Sequence, residues 1–182
     1  MKTLLVAVGF ATALLPAVAA ADQNDPVLDG LFDRLYQTVD TLEARQIEAE
    51  IQRVWDSSGS ATADLLLGRG TFAMHSGDFA AAERALTMVV TQHPDFAEGW
   101  NRRATLYYLM GRLDDSVADV ARTLALAPRH YGALSGLGQI QLIQEKYDEA
   151  RESFRRALAA NPHLVGARRF LRALDERLGE PI

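Results

Sequence analysis

Residues 104–128, ATLYYLMGRLDDSVADVARTLALAP, and residues 138–162, GQIQLIQEKYDEARESFRRALAANP, start 34 positions apart and align without a gap. The same interval separates Pro94, Pro128 and Pro162. With each proline at position 32 of a repeat, three registers follow: 63–96, 97–130 and 131–164. Position 8 is then Gly70, Ala104 and Gly138, and position 20 is Ala82, Ser116 and Ala150, all of them small. Position 4 is Leu66, Trp100 and Leu134, and position 24 is Leu86, Val120 and Phe154.

Each repeat reads as two amphipathic helices. In the third, Leu134, Leu137 and Ile140–Ile143 recur at helical spacing. A turn is expected at Gly77-Asp78, Gly111-Arg112 and Glu145-Lys146, and the second helix of each pair runs on until the proline stops it. Small residues at positions 8 and 20 mark where two helices cross closely, because a bulky side chain there would hold the backbones apart.

This pattern resembles the tetratricopeptide repeat (TPR) family, which has Trp or Leu at position 4, a small residue at 8, Tyr at 11, Ala at 20, Phe or Tyr at 24, Ala at 27 and Pro at 32. Trp100, Ala104 and Tyr107 match in the middle repeat, and Gly138, Ala150, Phe154, Ala157 and Pro162 in the last. Ala73 and Gln141 at position 11, Ser116 at 20, and Val89 and Thr123 at 27 depart from it, and none of them breaks a helix. The resemblance implies an all-α, right-handed superhelix of helix-turn-helix repeats.

The flanks extend the helical reading. Val165–Leu178 is one more helix, with Phe170, Leu171, Leu174 and Leu178 on one side, and is expected to cap the array within 165–182. Residues 21–62 contain a helical hairpin and a linker. Leu28, Leu31, Phe32, Leu35 and Val39 form one face, Ile47, Ile51, Val54 and Trp55 another, and the pair reads as a degenerate repeat or an N-terminal cap. Residues 1–20 read as a cleaved secretory signal: Lys2, an apolar run from Leu4 to Val18, and the small residues Val18-Ala19-Ala20. That run is too short to span a bilayer. With the TPR resemblance, it implies a small exported bacterial protein of the periplasm, with no stable membrane insertion after cleavage.

The 182 residues carry a formal charge of −5, which disfavours nucleic acid as a partner. There is no cysteine, so disulfides, thiolate metal sites and thiol nucleophiles are excluded. Charge is uneven: residues 21–60 hold nine acids and three arginines, and residues 151–182 hold four acids and seven arginines. This is either a set of solvated faces or an electrostatic bias for docking.

No catalytic constellation emerges. His75, His93, His130 and His163 lack the i, i+4 spacing of a helical metal site and read as exposed loop residues. Gly132, Gly136 and Gly138 lie inside a helix, where a dinucleotide fingerprint has no meaning, and read as packing residues. There is no G-x-S-x-G elbow. Neither an enzyme, a cofactor nor a metal is implied.

The function implied is recognition. The resemblance places a concave groove on the first helix of each repeat, suited to a peptide or partner protein. Its positions assign Leu67, Thr71 and Met74, with Asp64 and His75, from the first repeat. They assign Asn101, Arg102, Thr105 and Tyr108, with Glu98, from the second, and Ser135, Gln139 and Leu142, with Ile143, from the third. The carboxylate clamp of TPR co-chaperones needs Lys at position 5 and Asn at 9, where this chain has Leu67 and Thr71. Arg102 with Asn101 reads either as a locally paired arginine or as a receiver for one carboxylate. Arg69 and Arg103, both at position 7, read as a salt-bridge brace or as an anion-binding pair. The alternative to a scaffold is a self-associating envelope component, a homo-oligomer joined through open repeat ends, an acidic front and a basic tail.

Overall fold

The computed structural model describes Gln23 and residues 25–179, and the expected leader over 1–20 lies outside them. Among the described residues the chain forms nine helices and no strand: α1 (Pro26–Gln37), α2 (Thr41–Trp55), α3 (Ala61–His75), α4 (Phe79–Gln92), α5 (Ala97–Leu109), α6 (Leu113–Leu126), α7 (Tyr131–Ile143), α8 (Tyr147–Ala160) and α9 (Val165–Leu178). The helix pairs α3/α4, α5/α6 and α7/α8 stack in chain order as an all-α repeat superhelix.

Local chemistry sets the ends of the helices. Asp25, Asp40, Ser60 and Asp78 each accept hydrogen bonds from backbone N–H groups of the turn that follows. The helices α4, α6 and α8 stop two residues before Pro94, Pro128 and Pro162. Inside each repeat the chain reverses through one left-handed residue: Gly77 (φ 78°), Gly111 (φ 73°) and, in the third, Glu145 (φ 58°), a conformation that favours glycine.

Small residues make the close crossings. A Cβ on Gly70 would lie 2.6 Å from Leu86 Cγ, and one on Gly138 2.8 Å from Phe154 Cε1. Ala82, Ser116 and Ala150 are buried. The unusual Ser116 is satisfied, since its hydroxyl donates to the Ala104 carbonyl at 2.7 Å. Gln141, in place of the family tyrosine, accepts from Ser153 at 2.7 Å.

Helix α9 packs on α8. Phe170 stacks on Phe154 at 5.3 Å, and Ala167 and Leu174 are buried. The α1/α2 hairpin takes a different position. It does not stack on α3 in the way that α4 stacks on α5. It folds back along the junctions between repeats, and its core of Leu31, Phe32, Leu35, Ile47, Ile51 and Trp55 packs with Tyr131, Ala160 and Leu164. Helix α1 ends at Gln37, so Val39, read in sequence as part of its apolar face, lies in the loop and is exposed.

The first repeat differs from the others at the position through which repeats meet. A Cβ on Gly99 would lie 2.7 Å from Val89 Cγ1, so α4 and α5 meet through the absence of a side chain at position 3. The third repeat has Ala133 there, 1% exposed, while the first has Leu65. Leu65 is bulkier than the residues through which the later repeats meet their neighbours.

Arg69 and Arg103 diverge. Arg103 is a brace: its Nε and Nη2 donate to the two Asp119 oxygens at 2.7 and 2.9 Å. Arg69 is exposed. Arg103→Leu is therefore expected to cost about 1–3 kcal/mol in denaturant unfolding, since Asp119 stays buried without its partner, whereas Arg69→Leu leaves stability unchanged.

Candidate functional site

The first helices α3, α5 and α7 form one face of the array, and the end of α2 borders it at the N-terminal ends of α5 and α7. A polar network makes that border. Glu98, in the first turn of α5, is 1% exposed. It accepts from His130 Nε2 at 2.9 Å, Asn101 Nδ2 at 3.0 Å and Gln52 Nε2 at 3.2 Å, and pairs with Arg102 Nε at 2.6 Å. Arg102 also reaches Asp56 at 3.2 Å. His130 Nδ1 accepts from the Ala133 N–H at 3.1 Å, which caps α7 and leaves the ring proton on Nε2. Trp55 stacks on this ring at 4.0 Å.

Burial by itself would raise the Glu98 carboxyl. The His130 ring, the Arg102 guanidinium and the Asn101 amide outweigh it and hold the group below the usual carboxylate range. The carboxylate that Asn101 and Arg102 meet is thus the chain's own.

The expected groove residues separate into three groups. Leu67 and Met74 are 5% and 6% exposed and belong to the core with Leu86, Val89 and Leu106. Leu142 is part-buried against α8 and α9. These three mainly support the wall. Thr71 faces a hollow between α3 and α5 with Gly68, Phe72, His75, Arg102 and Asp56.

Asn101, Thr105, Tyr108 and Gln139 come together around a cavity of about 300 Å³ between α5 and α7, with Ala104, Leu109 and Val120 as its apolar lining. Gly136 lies on its edge, and a Cβ there would meet nothing within 4 Å. Ser135 is half-buried beside it, and its backbone carbonyl accepts from Gln139 Nε2 at 3.5 Å.

The histidines correct the sequence reading. His130 is 2% exposed, and His163 hydrogen-bonds to the Leu35 carbonyl at 3.0 Å, so both are structural joints to the hairpin. His75 is exposed. Among the described residues no group of three or more His, Cys, Asp or Glu side chains is placed to hold a metal ion. The sequence reading also missed Gln52 and Asp56 as neighbours of the groove. The available signal was the polar stripe Glu48, Gln52, Asp56, spaced by four on an otherwise amphipathic helix.

A family model described as "Tetratricopeptide repeat" matches residues 67–120 and 101–165. The chain is similar to a TPR repeat-containing protein of Rhizobium etli, 42% identical over 113 residues, covering 62% of this chain and 55% of that protein. It is 23% identical over 138 residues to Hsp70-Hsp90 organizing protein 1 of Glycine max, covering 74% of this chain and 24% of that protein. The chain thus spans about half and about a quarter of the lengths of these two relatives. Its fold is similar to that of the first TPR of Spaghetti (RPAP3) bound to the HSP90 peptide SRMEEVD, with a TM-score of 0.63, 22% identity, and coverage of 66% of this chain and 96% of that one.

Proposed function

This chain belongs to the tetratricopeptide repeat family, and from that premise we propose that it is a non-enzymatic binding module that holds an extended segment of a partner protein between α5 and α7. The cavity framed by Asn101, Thr105, Tyr108 and Gln139 carries the reading. It joins apolar surface to side chains able to hydrogen-bond a peptide main chain, which is how a small groove gains both affinity and register.

That a TPR of similar fold is bound to an HSP90 peptide supports a peptide-binding use of this fold. It does not transfer an acidic peptide as ligand. Asn101 and Arg102 are engaged by Glu98 and Asp56, and the lysine and asparagine of the clamp are replaced by Leu67 and Thr71.

We also propose that the protein is exported to a bacterial periplasm and works in an envelope assembly. The Lys2, Leu4–Val18 and Val18-Ala19-Ala20 pattern supports export. Among the described residues no helix is long and apolar enough to cross a membrane. The N-terminal sequence of protein recovered from its own cells is expected to begin within one residue of Ala21.

Gly136→Leu tests the groove. A Cβ there meets nothing within 4 Å, so the variant is expected to fold with its side chain filling the cavity. In a crosslinking pull-down from the envelope fraction, recovery of the groove-bound partner is expected to fall about tenfold, equivalent to about 1.4 kcal/mol. An unchanged set of crosslinked proteins at unchanged thermal stability would show that this face is not the binding site.

A further inference from the structure

We propose that the protein self-associates head to tail, the tip of the α1/α2 hairpin of one copy seating on the open end of the first repeat of the next. This inference does not depend on the cavity between α5 and α7.

The open end is defined by the molecule's own internal register. Positions 3, 7 and 10 of a first helix face the preceding hairpin. In the second and third repeats position 10 is Leu106, 0% exposed, and Ile140, 1% exposed. In the first repeat the same stripe is Leu65, Arg69 and Phe72, with Leu65 54% and Phe72 74% exposed. Among the described residues no hairpin stacks on it, because α1/α2 is docked along the repeat junctions instead. At position 3, where the later repeats have Gly99 and Ala133, this face presents the exposed side chain of Leu65.

Charge adds a second condition. Arg103 has Asp119 on the second helix of its own repeat, and 34 positions earlier the corresponding residue is Ala85. Among the described residues no carboxylate is paired with Arg69. The face is therefore cationic at its centre and apolar on both sides, and it fits an apolar object that carries acids.

The hairpin tip has this chemistry. Tyr36, Val39 and Leu42 are 68%, 97% and 66% exposed, the largest cluster of exposed apolar side chains at any turn of the described chain. Asp33 is exposed beside them, Asp40 caps α2, and Glu43 accepts from Thr38 and lies 3.8 Å from Arg34, so the tip keeps a net negative charge. The Arg-rich α9 is unsuited: Arg168, Arg169 and Arg172 on its outer side would oppose Arg69.

Tip and face cannot meet within one molecule. The tip is held at the C-terminal end of the array, through His163 to the Leu35 carbonyl and through Asn161 to Glu48 at 2.6 Å. The face of α3 lies at the opposite end. A contact between different patches of identical copies is heterologous and propagates into a ring or a filament.

Sedimentation velocity on the whole chain with its natural N-terminus, over a hundredfold range of concentration, is the test. The wild type is expected to grow with concentration and to shrink when salt is raised. Phe72→Glu removes the face and Val39→Glu the tip. Both side chains lie mostly in solvent, so circular dichroism and Tm should match the wild type while each variant sediments as a monomer. Mixed together, the two variants retain one live tip and one live face, and should form a one-to-one pair that grows no further. A wild type that stays monomeric throughout overturns the proposal, as does a mixture that forms no pair or variants that associate like the wild type.

Discussion

Glu98→Ala is expected to lower the stability of the folded chain by about 3–5 kcal/mol, the cost of removing one partner from a buried charge network. The carboxylate is contacted by His130, Gln52, Asn101 and Arg102, which come from α2, from the turn before α7 and from α5 itself. Alanine leaves His130, 2% exposed, without the acceptor for its Nε2 proton. Urea unfolding measures the loss. A double-mutant cycle with His130→Ala should return a coupling of about 1–3 kcal/mol, because the two groups touch.

The pH dependence has a fixed sign. The folded Glu98 carboxyl is held below its ordinary value of 4.5, so the folded state favours the ionised form. Its contribution is fully present above the unfolded value and is lost as pH falls through the depressed folded value. The stability difference between wild type and Glu98→Gln should therefore be flat above about pH 5 and shrink below about pH 4. A difference that grows on acidification would mean that the carboxyl is protonated in the fold.

Trp55→Ala carries the second large effect, about 3–5 kcal/mol for deletion of a buried tryptophan. The indole is 3% exposed, stacks on His130, and packs against Phe32 and Tyr131 at ring distances of 6.1 and 5.0 Å. It joins the hairpin to the repeats, so the loss should be local in character. Hydrogen exchange is expected to accelerate first over Pro26–Gln37 and Thr41–Trp55, with α7 and α8 still protected. Uniform acceleration across all helices would show instead that hairpin and repeats unfold as one unit.

Much of the fold was legible because repeats speak to their neighbours. The prolines at 94, 128 and 162 and the small residues at 70, 104 and 138 specify helices and close crossings that each depend on residues a few turns or one repeat away. The groove was legible as a location. Its lining was less so, because a register assigns positions without their exposure: Leu67 and Met74 went into the core, while Thr105, Tyr108 and Gln139 remained around the cavity.

The amino-acid sequence by itself determined the all-α repeat architecture, since a period of 34 is a local property that every hairpin expresses separately. Only the tertiary structure decided where α1/α2 docks, and with it the roles of Glu98, His130 and Arg102. Those choices rest on contacts such as Leu35 with His163, 128 residues apart, and Glu48 with Asn161, 113 apart. Pairs so distant leave no periodic trace; they exist only once the stacked repeats have built the surface on which the hairpin lies.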